Sequence, residues 1–183
     1  MKTILFLMLA GLISTAQAQK PIQLDEALVI APNVQEILFD NAGLYLVVKE
    51  NRVAEFASNP IKFAKANFDI QEYMKFTKDK KFDTYLVSFK SPAGQLDLDF
   101  DKRGNLRKNN QYFYNVQLPP DIERTLQKEH NGWTMVKSKY TSKGVGEFTD
   151  VAFYKVKLQN GKQTRRVKLV PESKIGVALL KEK

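Results

Sequence analysis

The segment from Leu118 to Leu169 constrains the fold most, because its hydrophobic period changes partway from helical spacing to strand spacing. A pair of prolines suits the first turn of a helix, and Ile122 and Leu126 fall four residues apart on one helical face. We therefore predict a helix that ends near His130, with Gly132 taking a positive φ just after it.

Beyond this glycine the hydrophobic period becomes two, which is typical of a strand. In a strand predicted over residues 133 to 141, Val136 and Tyr140 share one side, and Lys137 and Lys139 share the other. The segment thus predicts one helix on one face of an antiparallel sheet.

Two further strands are predicted over residues 151 to 158 and 162 to 170, joined by a two-residue turn at Asn160-Gly161. Antiparallel pairing of the three strands would collect six basic side chains on one solvent-facing surface, which we regard as a possible binding face. These six are Lys137, Lys139, Lys155, Lys157, Arg166 and Lys168.

Three residues are predicted to be structural anchors of this segment. Gly132 ends the helix, Gly161 makes the hairpin turn, and Trp133 begins the strand between them. We expect the single tryptophan to be buried at the junction of helix and sheet, since a large ring there would lie across the helix end.

Residues 1 to 18 have the pattern of a secretory signal peptide. Lys2 is followed by an apolar run from Ile4 to Ile13 and by small residues at Ala16 and Ala18. We expect cleavage after Ala18, a periplasmic or secreted location, and no membrane span, since the apolar run is too short to remain as one. The chain has no cysteine, so disulfides cannot stabilise it.

Charge is distributed unevenly along the chain. Residues 19 to 101 carry 10 basic and 13 acidic side chains, whereas residues 102 to 183 carry 18 basic and 7 acidic ones. This asymmetry predicts a basic surface on the C-terminal half. Such a surface either binds an acidic partner or only keeps a wet sheet face soluble and discourages edge pairing.

The N-terminal segment, residues 19 to 58, is predicted to hold a possible strand at Gln23 to Ala31. A hairpin from Val34 to Phe39 and Leu44 to Val48 follows, across a loop of turn-forming residues. We assign residues 59 to 183 to one domain beyond this segment.

Local signals in the first half of that domain leave two alternatives open. Asn59 before a proline indicates a helix start, although residues 61 to 68 also suit a strand. Asp69 and Glu72 have the spacing of a capping box, which favours a separate helix over residues 70 to 77.

A clean period of two over residues 83 to 101 predicts an amphipathic hairpin, and residues 106 to 114 predict a third strand. A helix followed by a hairpin thus occurs in residues 59 to 115 and again in residues 118 to 175. The predicted fold class is therefore α+β, with helices packed on one face of a mostly antiparallel sheet and two related α/β units in tandem.

This pattern resembles the PepSY-like family of small secreted bacterial proteins. The resemblance rests on Leu118-Pro119, Gly132-Trp133, Tyr154-Lys155-Val156, Asn160-Gly161-Lys162 and the run from Phe100 to Asn105. It covers about residues 59 to 170, and it implies a fold similar to the β-lactamase-inhibitor protein. It also implies an exported protein that binds or restrains other proteins and has no catalytic residues to carry over.

Candidate chemistry is sparse. Asp97, Asp99 and Asp101 alternate before Gly104, but a calcium loop requires its glycine at the sixth position, and Gly104 is eighth. His130 is the only histidine and is predicted to be a capping or surface residue. We expect no cofactor, no metal and no enzymatic activity.

The aromatic run at 112 to 114 beside Arg107 and Lys108 could stack nucleic-acid bases, but core or interface use is favoured in an exported protein. The leading functional hypothesis is an exported, non-catalytic protein-binding or inhibitor-like module with an unknown partner. The alternative is a cell-envelope binder of anionic polymers that uses the basic sheet face.

Overall fold

The computed structural model describes residues 31, 33–40, 43–78, 82–171 and 177–180. The predicted signal peptide and nearly all of the strand predicted at Gln23 to Ala31 lie outside these residues. Within them, nine strands form one sheet in chain order: β1 (Val34–Asp40), β2 (Gly43–Val48), β3 (Thr84–Ser91), β4 (Gly94–Asp101), β5 (Leu106–Tyr114), β6 (Thr134–Val145), β7 (Val151–Asn160), β8 (Gln163–Pro171) and β9 (Val177–Leu180).

The described helices are short. β2 and β3 are the parallel pair, because the chain crosses back over the sheet between them, and the other neighbours are antiparallel. Three helices make that crossover, and a fourth links β5 to β6: α1 (Val53–Ser58), α2 (Pro60–Asn67), α3 (Ile70–Phe76) and α4 (Pro120–Glu129).

The predicted fold class is wrong. About half of the described residues are in strands and about a quarter in helices, so the fold is dominated by one sheet and is not an α+β tandem of two related units. The units do not separate because β5 pairs with β6 over seven residues, from Lys108↔Val145 to Tyr114↔Lys139. The hairpin β1–β2, which we had assigned to a separate segment, joins the same sheet through β3.

A first core fills the space between α1–α3 and strands β2 to β5. Phe56 is fully buried at its centre, with ring centroids 5.3 Å from Phe63, 6.2 Å from Phe89 and 5.3 Å from Phe113. Aromatic pairs at such separations contribute about 0.5–1.5 kcal/mol each beyond the area they bury. This cluster therefore fixes α1 and α2 on the sheet.

A second, smaller core lies beneath α4. Ile122 and Leu126, the predicted apolar face of the helix, are buried against β7 and β8. Their partners are alternate strand residues, Val156, Leu158, Val167 and Leu169, as the period of two predicted. The helix and its strands thus assemble as the sequence indicated.

Capping residues settle the two alternatives for residues 59 to 77. The Asn59 Oδ1 atom accepts a hydrogen bond from the Lys62 amide at 3.2 Å, and residues 60–67 are helical, so the strand interpretation is wrong. Asp69 accepts from the amides of Gln71 and Glu72 at 2.8 and 3.2 Å, which confirms a separate helix, α3.

Strand ends differ from the predictions in two places. β6 runs on to Val145, beyond the end that we predict for this strand at residue 141. Asn160 pairs with Gln163, so the turn residues are Gly161 and Lys162, one position later than predicted. Gly161 takes φ +57°, a value that favours glycine at this corner.

Tyr73 should make the first core sensitive to alkali. Burial, followed by the neighbouring Tyr85, raises the pKa of Tyr73 to about 12, so the folded state holds the phenol proton more tightly than the unfolded chain. The phenol proton of Tyr73 therefore contributes to the free energy of unfolding. This contribution is fully present below pH 10 and is lost as the pH rises from about 10 to about 12. We expect Tyr73→Phe to flatten the loss of unfolding free energy across that range, measured by denaturant titration.

The exposed Tyr114→Phe variant provides the matched control for this measurement. A flattening of equal size in the control would contradict the assignment of the effect to Tyr73.

Candidate binding face

The two faces of the sheet differ in what covers them. All four described helices pack over one face, where alternate strand residues are buried. We call the opposite side the open face, and within the described ranges no helix crosses it. Directly paired residues of antiparallel strands point to the same side, so the strand registers give the composition of the open face.

The six predicted basic residues come together on the open face in two rows that run across the strands. The first row is Lys137–Lys157–Arg166, and the second is Lys139–Lys155–Lys168. In each row a residue of β7 lies directly opposite a basic residue of β6 and another of β8. Side chains directly opposite each other have Cβ atoms about 4.5–5.5 Å apart, so like charges are close neighbours here.

A β-bulge in β6 creates this alignment. Met135 pairs with Leu158, but the register then shifts so that Lys137 pairs with Lys157. Without the shift, Lys137 would lie opposite Val156, and the lysines of β6 and β7 would point to opposite faces. The extra residue is Val136, which is 42% exposed, so the prediction that Val136 faces the core is wrong.

Aromatic side chains lie beside the second basic row. Tyr114 pairs with Lys139, and the next row along the strands is Tyr112–Thr141–Phe153. The Lys139 Nζ atom lies 5.6 Å from the ring centroid of Tyr112 and 5.3 Å from that of Tyr114. The Lys168 Nζ atom lies 4.6 Å from the ring centroid of Phe153, so cation–π contacts tie the basic row to these rings.

The other half of the open face is polar and acidic. Asp97 accepts hydrogen bonds from Ser88 at 2.7 Å and from Gln95 at 2.6 Å, beside a recess of about 430 Å³. Asp101 ends β4, where hydrogen bonds from Asn105 and then Arg103 lower the pKa of its carboxyl group. These aspartates occupy alternate strand positions, as predicted. Within the described residues, no cluster of three acidic or histidine side chains could hold a metal ion.

A cleft of about 1090 Å³ lies on the helix-covered face between the two cores. Gln111, Phe113, Tyr140 and Tyr154 line it from β5, β6 and β7. The Tyr140 and Tyr154 ring centroids are 5.0 Å apart, and burial is the main cause that raises the pKa of Tyr154 to about 12. The phenol of Tyr154 therefore stays protonated over the physiological pH range and can donate a hydrogen bond into the cleft.

The β6–β7 loop, residues 146–150, holds an exposed aromatic side chain on a fixed backbone. Asn109, which is fully buried, donates to the carbonyl groups of Gly146 at 2.8 Å and Phe148 at 3.2 Å. A salt bridge of 2.7 Å joins Lys65 on α2 to Glu147. Phe148 itself is 80% exposed, so the loop displays this ring to solvent.

Two of the three predicted anchors, Gly132 and Trp133, lie just after α4. Gly132 takes φ +78°, as predicted. His130 is the C-terminal cap of the helix, one of its two predicted roles, and is buried. Trp133 precedes β6 and is only partly buried, so it is more exposed than predicted. The guanidinium of Arg165 lies over its ring at 4.7 Å. The same guanidinium lies 3.2 Å from His130 Nδ1.

The sequence indicated the aromatic run at 112 to 114 but not its alignment with Phe153, and the cleft and Phe148 were not predicted. The row depends on the strand register, and the cleft depends on two helix clusters that are far apart in sequence. The sequence holds one indication that Phe148 is exposed. It is flanked by Glu147 and Thr149 and belongs to no strand or helix periodicity that would place it on a buried face.

Comparison of the chain with protein-family models, with curated proteins and with solved structures gave no match. Among the described helices, none has the length and apolar content needed to cross a lipid bilayer.

The basic rows should not contribute to stability. Like charges directly across strands cost about 0.2–1 kcal/mol per pair. Replacing Lys137, Lys139, Lys155 and Lys157 by glutamine relieves that repulsion and removes no core atom. We expect an unchanged or higher Tm by circular dichroism, with the larger rise at low salt; a clear fall in Tm would mean that these side chains are packed and not solvated.

Proposed function

We propose that this protein is an exported, non-catalytic binding module that holds an anionic polymer of the cell envelope on its open face. The observation that carries the proposal is the pair of basic rows, each of which places three cationic side chains side by side across β6, β7 and β8. The rows favour the polymer hypothesis over the protein-partner hypothesis, because a regular array of cations suits a regular array of anions.

The spacing of the rows supports this choice of ligand. Neighbouring strands lie about 4.7–4.9 Å apart, and alternate residues along one strand lie roughly 6.6–6.8 Å apart. The six cations therefore form a flat grid with repeats of a few ångströms, and one extended chain can contact several of them at once. Each contact releases counterions, so affinity should depend steeply on salt.

Export is the second part of the proposal. It rests on the signal-peptide pattern of residues 1 to 18 and on the resemblance to PepSY-like proteins. The lack of cysteine is compatible with either side of the inner membrane, so it does not bear on the periplasmic or secreted location.

The test uses the mature protein and two linear polyanions, polygalacturonate and polyphosphate. The open-face variant replaces Lys137, Lys139, Lys155 and Lys157 by glutamine. Each lost charge should lower the slope of log affinity against log salt by about 0.7, so the slope should fall by roughly three. Calorimetric titration at several salt concentrations measures this slope for the wild type and for the variant.

A matched control keeps the net charge equal to that of the open-face variant. Exposed lysines that lie on helices or turns are replaced by glutamine, namely Lys62, Lys78, Lys102 and Lys128. Equal losses in the two variants would show that net charge alone attracts the polymer and would overturn the assignment to the open face.

A protein partner remains the second candidate, and Phe148 favours it. Most of the energy of a protein interface comes from a few anchors, often aromatic, and a rigid anchor loses little entropy on binding. Asn109 and the Lys65–Glu147 salt bridge hold the loop in place. A partner with an apolar pocket would therefore meet a preformed contact.

Capture from an envelope extract with wild-type protein and with Phe148→Ala tests this candidate. The extract is applied at about 0.5 M salt, where charge contacts are largely screened. We expect a true partner to be retained by the wild type and lost with Phe148→Ala. A protein retained equally by both would not use this loop.

A further inference from the structure

The aromatic row Tyr112–Thr141–Phe153 places two rings on the open face, and a surface that binds its ligand by charge alone does not require them. Thr141 sits on the open face between the two rings, since it pairs with Tyr112 on β5 and with Phe153 on β7. Only 8% of Thr141 is exposed, although no helix covers this face in the described ranges. The two rings are its neighbours in the row, and both are themselves only partly exposed.

Cations border this aromatic platform on the side of the second basic row. Lys139 lies 5.6 Å from the Tyr112 ring, and Lys168 and Lys155 lie 4.6 and 5.9 Å from the Phe153 ring. These are cation–π contacts, so each ammonium group lies over part of a ring face at the edge of the row. Lys143, which pairs with Val151, adds one more cation on the other side.

A flat apolar surface beside a row of ammonium groups matches a ligand that has both a ring and an anion in each unit. The apolar C–H face of a sugar ring packs on aromatic carbon, while a carboxylate on that sugar binds an ammonium group. A polyphosphate has the charge but no ring, and it would leave the platform unused.

We propose that the open face binds a carboxylate-bearing polysaccharide, with a sugar ring on the Tyr112–Thr141–Phe153 platform and its carboxylate on Lys139, Lys155 and Lys168. This inference rests on the proposed function and names the chemical class of its polymer. Single-stranded nucleic acid would use the same two features, so it serves as a competing probe in the test.

The test compares polygalacturonate, which has a carboxylate on each ring, with polyphosphate, which has no ring. The platform variant is Tyr112→Leu with Phe153→Leu, which keeps apolar volume and removes the flat surfaces. The control is Tyr45→Leu on β2, where a lysine also lies over the ring, with Lys90 Nζ 3.7 Å from its centroid.

We expect the platform variant to bind polygalacturonate at least about tenfold more weakly, since both flat surfaces on which a ring can stack are removed. Its affinity for polyphosphate should change less than about twofold, because the cations remain. The control should bind both polymers like the wild type. Circular dichroism and thermal melting verify that each variant is folded.

Three results would overturn the inference. The first is that the platform variant binds polygalacturonate as tightly as the wild type does. The second is that it binds both polymers more weakly by the same factor. The third is that the wild type binds oligothymidylate more tightly than polygalacturonate. A different result would overturn the proposed function: the four-lysine variant would bind polyphosphate with the same dependence of log affinity on log salt as the wild type. Lysine dependence without aromatic dependence would leave the proposed function standing and reject the polysaccharide.

Discussion

The pairing of β5 with β6 is the interaction on which the rest of the structure depends. Seven residue pairs, from Lys108↔Val145 to Tyr114↔Lys139, join the sheet beneath the first core to the sheet beneath the second. Three residues that face the helices at this seam are polar and buried, namely Asn109, Gln111 and Ser142, whereas Phe113 packs on Phe56 in the first core. The cleft lies above the seam, where Gln111 borders Phe113 and Tyr140, and each core keeps its own helices.

The same seam determines what lies on the open face. Antiparallel pairing places Tyr114 opposite Lys139 and Tyr112 opposite Thr141, so aromatic residues of the first half meet cations of the second. The bulge after Met135 then brings the lysines of β6 level with those of β7. The bulge and the pairings from β5 to β8 combine features that are up to 56 residues apart, since Tyr112 and Lys168 lie on the same part of the open face.

Local signals were sufficient for individual elements but not for their assembly. The capping residues Asn59 and Asp69, the period of two in β3 and β4, and Gly132 all act within a few residues, and the structure bears them out. Whether β5 pairs with β6 depends on backbone groups that every strand carries, so no side-chain pattern reveals it. The prediction of two units in tandem is wrong for that reason. The predicted orientation of Val136 is wrong because a bulge shifts the period of the strand by one residue, and a sequence pattern does not show where the shift occurs.

The arrangement of the basic residues argues against a purely solubilising role. Solubility is best served by charges of both signs in an interspersed pattern, and protection against edge pairing requires lysines on edge strands. Here the lysines occupy β6, β7 and β8, which all have neighbours on both sides. They also lie opposite one another, where glutamine or threonine would be as soluble and would avoid the repulsion. The repulsion between these lysines therefore lies inside the sheet, next to aromatic rings, and serves neither solubility nor edge protection. A bound anionic ligand would relieve this repulsion, which is what we expect of a binding site.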